Sequence, residues 1–238
     1  VNCDICKGKG FILKEVDGET VWSMCECQRL KNIQDISTRK FIESGIPKEF
    51  WKMEFDFYKE IPYPPDVKNF NKPNFELLKK FLDDPKTYFD SYKLLWIWGK
   101  DDNSGHSSIA AILGKEFINH NYNIKFVRMA NLINYFITSN NNKTFIDDIR
   151  KLDLLIVDDA LDVTRAPLNN KLLYITSLLF NFFSEALSND VNMICTSNSV
   201  LAGVDDTYKE IKTLFARYLY ELEIRGNIIN YIKLNPEK

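Results

Sequence analysis

The stretch "WGKDDNSGHSSIAAIL", residues 98–113, decides how the chain is read. An apolar run, "KLLWIW", leads into it, and an apolar helical pattern leaves it. Gly99 opens the turn between them and Gly105 closes it. A strand that passes through a glycine-bounded turn into a helix is the layout of a phosphate-binding loop, G-x-x-x-x-G-K-[ST]. Its amides surround phosphates, its lysine neutralises them and its hydroxyl holds Mg²⁺. Five residues rather than four separate the glycines here, His106 stands at the lysine position, and Ser107 at the hydroxyl position. The expected nucleotide contacts are Gly99, Gly105, His106, Ser107 and Ser108. An imidazole is mostly uncharged near neutral pH, so His106 replaces the lysine only in part. Lys100 is a second candidate cation, because lysine is a flexible point charge. Asp101 and Asp102 repel phosphate unless Mg²⁺ intervenes. Taken alone, the stretch reads equally well as an ordinary Gly/Asn/Ser-rich turn.

Three further stretches give it company. "LDLLIVDDA", residues 152–160, is an apolar strand that ends in two acids. In a Walker B site the first acid, Asp158, supports Mg²⁺ together with Ser107, and the second, Asp159, orients the attacking water. "MICTSN" is a strand ending in Thr196, Ser197 and Asn198, any of which can face a γ-phosphate. "TLFARYLYEL" reads as part of a helix over 206–223, with Arg217 placed as a finger into a neighbouring subunit's site. The bland readings are a strand-end turn and a solvated arginine. The order matters more than any one signal: P-loop, acidic strand end, polar strand end, arginine helix. Strands apolar throughout and alternating with helices imply an α/β fold, a parallel sheet covered on both faces. Together these features describe an AAA+ P-loop NTPase core.

The chain has 238 residues, 45% hydrophobic and 27% charged, which is the composition of a globular protein. Its longest greasy stretch, "LLYITSLLFNFF", is too short and too polar to span a bilayer, so no membrane partner is expected. Net charge is −2, which excludes a global basic field and leaves only local patches for nucleic acid. Lys125 and Arg128, near Asn131 and Tyr135, form one such candidate patch for single-stranded DNA. Ordinary packing with two solvated cations is the competing account. Lone Cys195 reads as a small buried hydrophobe.

Four of the five cysteines crowd into the first 27 residues. "CDICKGKGF" and "WSMCECQ" give C-x2-C, eighteen residues, then C-x-C. Two close pairs place Cys3, Cys6, Cys25 and Cys27 around one Zn²⁺, with Gly8 and Gly10 allowing the tight turns. "FILKEVDGETVW" between them reads as a hairpin turning at Asp17-Gly18. Free or disulfide-paired cysteines are the alternative. The clustering favours a metal site in a reducing, cytoplasmic setting.

The expected organisation is a zinc module over 1–28, a helical and aromatic connector over 29–90, and the AAA+ core over 91–238, without a clear helical lid. The connector opens with a helix, "QRLKNIQDISTRKFIES", ended by Gly45 and Pro47, and closes with a short helix capped by Asn74. In the core, Asn131 is expected to cap "NLINYFIT", and "NIINYIKL" to form a last strand.

With these residues on the page, the chain resembles the bacterial and phage replicative-helicase loaders, the DnaC/DnaI-like AAA+ proteins. "CDICKGKG" and "CEC" are similar to that family's C-x2-C-x-G-x-G and C-x-C, and "SGIPKEFW" to its GIP-x-x-[FY] connector. "SGHSSIAAIL" is similar to "GKTHLAAAI", "LLIVDDALD" to "LLIIDDLG", "CTSN" to "TTN/TSN", and "FARYLYEL" to "SRLYE". The resemblance covers nearly the whole chain and implies ATP with Mg²⁺, a hexameric replicative helicase and single-stranded DNA as partners. It implies Asn198 as sensor 1, catalytic together with Asp159, and Arg217 as the finger that couples copies of the chain. Two other readings stay open: a pseudo-ATPase adaptor that binds or inhibits the helicase, and a zinc-module DNA-binding protein without a nucleotide.

Overall fold

The computed structural model describes residues 3–16, 19–55, 63–100, 104–138, 142–161 and 172–226. The chain divides into two compact units, Val1–Glu43 and Ser44–Lys238. Residues 29–43 of the stretch read as a connector thus group with the cysteine module, and residues 44–90 with the sheet.

The first unit is a hairpin and a helix. Strands β1 (Phe11–Val16) and β2 (Glu19–Met24) pair antiparallel, from Phe11↔Met24 to Val16↔Glu19. The expected turn at Asp17-Gly18 lies outside the described residues. Helix α1 (Glu26–Ser44) follows, and Gly45, at φ +79°, ends it in the left-handed conformation that glycine adopts freely.

The second unit is built on five parallel strands: β3 (Leu94–Trp98), β4 (Ile124–Arg128), β5 (Leu154–Asp158), β6 (Asn192–Ser197) and β7 (Leu219–Glu223). Their spatial order is β4-β5-β6-β3-β7. The three inner strands are buried almost throughout, as strands covered on both faces must be. Helix α4 (His106–Asn119) lies on one face, and Gly114 lets it sit close. A Cβ there would come within 2.6 Å of Ile156 Cδ1 and 3.0 Å of Ile124 Cδ1. The other face carries α5 (Met129–Thr138), α6 (Asn142–Ile149), α7 (Leu172–Ser188) and α8 (Lys209–Phe215). There Leu94, Trp96, Leu155, Val157, Met193 and Cys195 pack against Phe136, Phe182, Phe183 and Phe215. Cys195 is the buried apolar residue expected, and burial pushes its thiol well above the usual range.

Two helices precede the sheet, α2 (Pro65–Asp83) and α3 (Pro85–Ser91). Proline at the first position of α2 costs no hydrogen bond there. Asn74 therefore sits inside α2 rather than capping a shorter helix, and its role is different. The Asn74 amide donates to the Glu223 carbonyl at 2.7 Å. Asn71, fully buried, donates to the Arg225 carbonyl at 2.8 Å and accepts from the Arg225 amide at 3.0 Å. Two asparagines thus satisfy the open edge at the end of β7, which otherwise invites pairing with another chain.

Two more expectations are corrected. Asn131 is not a cap: α5 starts at Met129, directly after β4, and Asn131 lies in its first turn. The helix expected over 206–223 is only partly a helix. Residues Asp206–Tyr208 form a 3₁₀ turn, α8 ends at Phe215, and "LYELE" is β7, paired with β3 from Leu94↔Leu219 to Trp98↔Glu223. The tyrosine and leucine content of this segment suits a pleated surface, and β3 offers it a vacant edge. Residues 227–234, expected as a last strand, lie outside the described residues.

Replacing Asn71 by alanine removes both side-chain hydrogen bonds to the Arg225 backbone. The expected cost is about 1–3 kcal/mol, read as a lower denaturation midpoint of the second unit with an unchanged slope.

Candidate nucleotide site and cysteine cluster

Parallel strands end together, so the residues after them meet at one edge of the sheet. The pleat then decides which side each serves, since alternate residues face opposite ways. Ile124 and Ile156 meet α4 at Gly114, whereas Leu155 and Val157 belong to the opposite core. By that alternation Arg128, Asp158 and, through the pairing of Ile156 with Ile194, Thr196 all project to the α4 side. The α4 N-terminus, with His106, stands on that same side.

The acid pair is tightly held. Asp158 is 3% exposed, and its Oδ1 accepts a 2.7 Å hydrogen bond from the Thr196 hydroxyl. That hydroxyl oxygen also accepts from the Asp159 amide at 3.1 Å, and the Thr196 carbonyl accepts from the Ala160 amide at 2.7 Å. Asp158 Oδ2 faces Arg128 Nε at 3.7 Å, and Arg128 Nη2 lies 3.8 Å from Glu49 Oε1. Asp159 and Leu161 have φ of 54° and 59°, so the turn after β5 holds two side-chain-bearing residues in the left-handed region.

The loop is closed by its own residues. Gly99 donates to the Ser197 carbonyl at 3.1 Å, and a Cβ on Gly99 would lie 2.8 Å from the Ile224 carbonyl and 2.0 Å from Ser104 Oγ. Gly105 has φ +90° and turns the chain into α4. Ser104 is fully buried, and its Oγ lies 2.8 Å from His106 Nδ1. His106 is buried too. Burial holds its pKa below the usual value, against the opposing pull of Asp158 and Asp159, so the ring is neutral at physiological pH. Ser108 is buried and donates to the Gly105 carbonyl at 2.9 Å, while Ser107 is half-buried at the helix start. Lys100 is exposed, and Asp101 and Asp102 lie outside the described residues.

The donor set suits a phosphate with a hard cation. The first amides of a helix point out of its N-terminus and attract anions. Asp158 and Ser107 offer the oxygen ligands that Mg²⁺ takes. At the position of the P-loop lysine, His106 is neutral and brings no positive charge.

Three expected site residues stand apart. Asn198 is exposed beyond the end of β6, while Thr196 reaches the acids. Arg217 lies in the turn between α8 and β7 rather than within a helix. It is exposed and makes no ion pair to a described residue. Lys125 and Arg128 are three apart on β4 and so face opposite sides of the sheet; Arg128 serves Asp158. Sequence reasoning named Thr196 among three polar residues but did not single it out. The signal that does so is register: Thr196 is the residue of β6 that lies beside Asp158.

The four cysteines converge as the spacing predicts. Their sulfurs all lie within 4.8 Å of one another, with Cys6–Cys27 at 3.4 Å and Cys3–Cys25 at 3.8 Å. Four sulfurs bound tetrahedrally at about 2.3 Å from zinc have edges of about 3.8 Å. Gly8 and Gly10 take φ of 83° and 80°, and the Gly10 amide donates to Cys6 Sγ at 3.3 Å. That bond holds the Cys6 thiol at about 6, well into the thiolate range. Cys3 is lowered by the amides of Cys6 and Ile5, whereas Cys27 is pushed up to about 12, first by its bond to Cys6. The cluster is chemically ready to exchange its remaining protons for a metal.

No protein-family model matches the sequence, and no curated protein matches it significantly. Solved structures do match. A DnaI crystal structure aligns with a TM-score of 0.57 at 16% identity, over 76% of this chain and 92% of that one. A DnaC helicase loader aligns at 0.55 and 14% identity, over 75% and 99%. A replication initiator DnaA bound to AMPPCP and single-stranded DNA aligns at 0.53 and 17% identity. This chain is covered over 74% and spans little more than half, 57%, of that initiator. At such identities the likeness is one of fold. Five parallel strands with the loop, the acids and Thr196 at their shared edge give the chain an AAA+ P-loop fold of the kind found in helicase loaders and replication initiators, behind an N-terminal cluster of four cysteines able to hold a metal.

Proposed function

We propose that the chain is a helicase loader of DNA replication. Its AAA+ core binds Mg·ATP, and its N-terminal unit, organised by Zn²⁺ on Cys3, Cys6, Cys25 and Cys27, docks on the hexameric replicative helicase. One observation carries this reading. The glycine-bounded loop, the acid pair and the polar end of β6 meet on the α4 side of a sheet shared with the DnaC helicase loader. The initiator solved with AMPPCP and single-stranded DNA supports nucleotide and DNA as the ligands of this fold here as well. In this reading Gly99, Gly105 and the start of α4 receive phosphates, with His106, Ser107 and Ser108 lining the site. Asp158 and Ser107 hold Mg²⁺ and Asp159 orients water. Asn198 faces the γ-phosphate from beyond β6. Exposed Arg217 reaches the site of a neighbouring copy. Lys125 supplies a cation for DNA, while Arg128, on the other side of the sheet, stays with Asp158. No helix among the described residues is long and apolar enough to cross a membrane, and a cytoplasmic site of action goes with the reading.

A neutral, buried His106 favours a second reading, in which the core binds nucleotide without turning it over and acts as an adaptor on the helicase. Positioning and charge neutralisation carry nearly all phosphoryl-transfer catalysis, and the loop cation is missing.

Purified protein is expected to bind Mg·ATP, and Asp158→Ala with Asp159→Ala to abolish any turnover; a native chain with no nucleotide affinity sinks the reading. His106→Lys restores a charged hydrogen bond to phosphate and is expected to tighten binding about tenfold or more. If turnover appears only in that variant, the adaptor reading stands. About one Zn²⁺ per chain is expected, lost in Cys6→Ser together with amide protection in the hairpin. A metal content near zero in native protein removes the zinc assignment. Copurification with a replicative helicase tests the partner.

A further inference from the structure

The carboxylate of Asp158 has two dissimilar partners, one on each flanking strand. Thr196, on β6, is fully buried and makes three short contacts to consecutive residues: its hydroxyl to Asp158 Oδ1 at 2.7 Å, the Asp159 amide to that hydroxyl at 3.1 Å, and the Ala160 amide to its carbonyl at 2.7 Å. These bonds fix a turn in which Asp159 stands at φ 54°. Arg128, on β4, is different in kind. Its side chain is 52% exposed, lies 3.7 Å from Asp158 Oδ2 and has Glu49 as a second acid at 3.8 Å. A guanidinium between two carboxylates can leave one without losing all charge compensation. A hydroxyl locked between a buried acid and a backbone amide has no such alternative.

We propose that Thr196 and Arg128 are positioning residues that together set the Mg²⁺ affinity of Asp158. Thr196 fixes Oδ1, so only Oδ2 is presented to a metal, and Arg128 occupies Oδ2 until the nucleotide-bound metal claims it. Arg128 then rests on Glu49. Both residues act through Asp158, and the two have opposite effects. Removing the hydroxyl frees the carboxylate to rotate and weakens metal binding. Removing the guanidinium takes away a competitor and strengthens it. The proposal rests on the nucleotide-site reading above.

The test is a Mg²⁺ titration of the binding of a fluorescent ATP analogue to the full chain, read as the Mg²⁺ concentration at half effect. Loss of a partner that orients a metal ligand typically costs about 10–100-fold in metal affinity, and Thr196→Val is expected to raise the midpoint by that order. The affinity measured without Mg²⁺ stays as in native protein. Thr196→Ser keeps the hydroxyl and is expected within about twofold of native, because the orienting bond survives. Arg128→Gln is expected to lower the midpoint several-fold. A native midpoint in Thr196→Val, or an unchanged or higher one in Arg128→Gln, overturns the proposal. Should Thr196→Val not fold, Thr196→Ser and Arg128→Gln decide it. Native binding that is indifferent to Mg²⁺ overturns the clamp while leaving the nucleotide site intact. No native binding at all overturns the nucleotide reading, and the clamp with it.

Discussion

The insertion of β6 between β3 and β5 is the constraint on which the rest of the core depends. It separates the strand that feeds the loop from the strand that ends in acids by one strand's width, and it supplies the residues that bridge them. Gly99 donates to the Ser197 carbonyl on one side of β6, and Asp159 and Ala160 donate to Thr196 on the other. The same strand is buried on both faces, which is possible only because helices cover both. Had the acidic strand paired directly with β3, Thr196 would have no place between the two halves of the site.

Most of the core was legible in the sequence because its signals are local. Short apolar runs such as "LLWIW" and "LLIV", bounded by turn residues, read as inner strands, and the helix after Gly105 begins where the turn chemistry puts it. Several of the failures are places where a distant partner decides. "LYELE" reads as helix by its neighbours and becomes a strand because β3 has a free edge. Asn74 looks like a cap and instead meets a backbone carbonyl 149 positions away in the chain. Thr196 is indistinguishable from Ser197 and Asn198 until register shows which one lies beside Asp158. Spacing along one strand also misled: Lys125 and Arg128 are close in sequence and divided by the pleat.

The N-terminal unit follows a different logic. Among its described residues the buried apolar side chains are Cys6 and Cys25, while Phe11, Leu13, Trp22 and Met24 lie exposed on one face of the hairpin. No cluster of buried aromatic or aliphatic side chains forms a core among the described residues of this unit. The four sulfurs converge instead, and a metal bound to them would turn its binding free energy into folding free energy for the unit. The cysteine spacing was the most readable feature of the chain because two close pairs joined by a hairpin bring four sulfurs together.

In the nucleotide site, binding and turnover draw on different groups, and the chain has kept them unequally. In the proposed site, phosphate affinity would come from a helix N-terminus and close backbone approach at Gly99 and Gly105. Metal support there would come from Asp158, which is buried and hydrogen-bonded. The lysine position of the loop carries no fixed positive charge, and burial of His106 makes that loss worse than the bare substitution suggests. A protonated imidazole at that position would answer the phosphate charge; one packed against Ser104 and desolvated does not. In the proposed site, charge compensation would then fall largely to Mg²⁺, which puts weight on how Asp158 is oriented. A site with a weak loop and a well-clamped acid is one in which the metal, rather than the protein, carries the electrostatic part of nucleotide recognition.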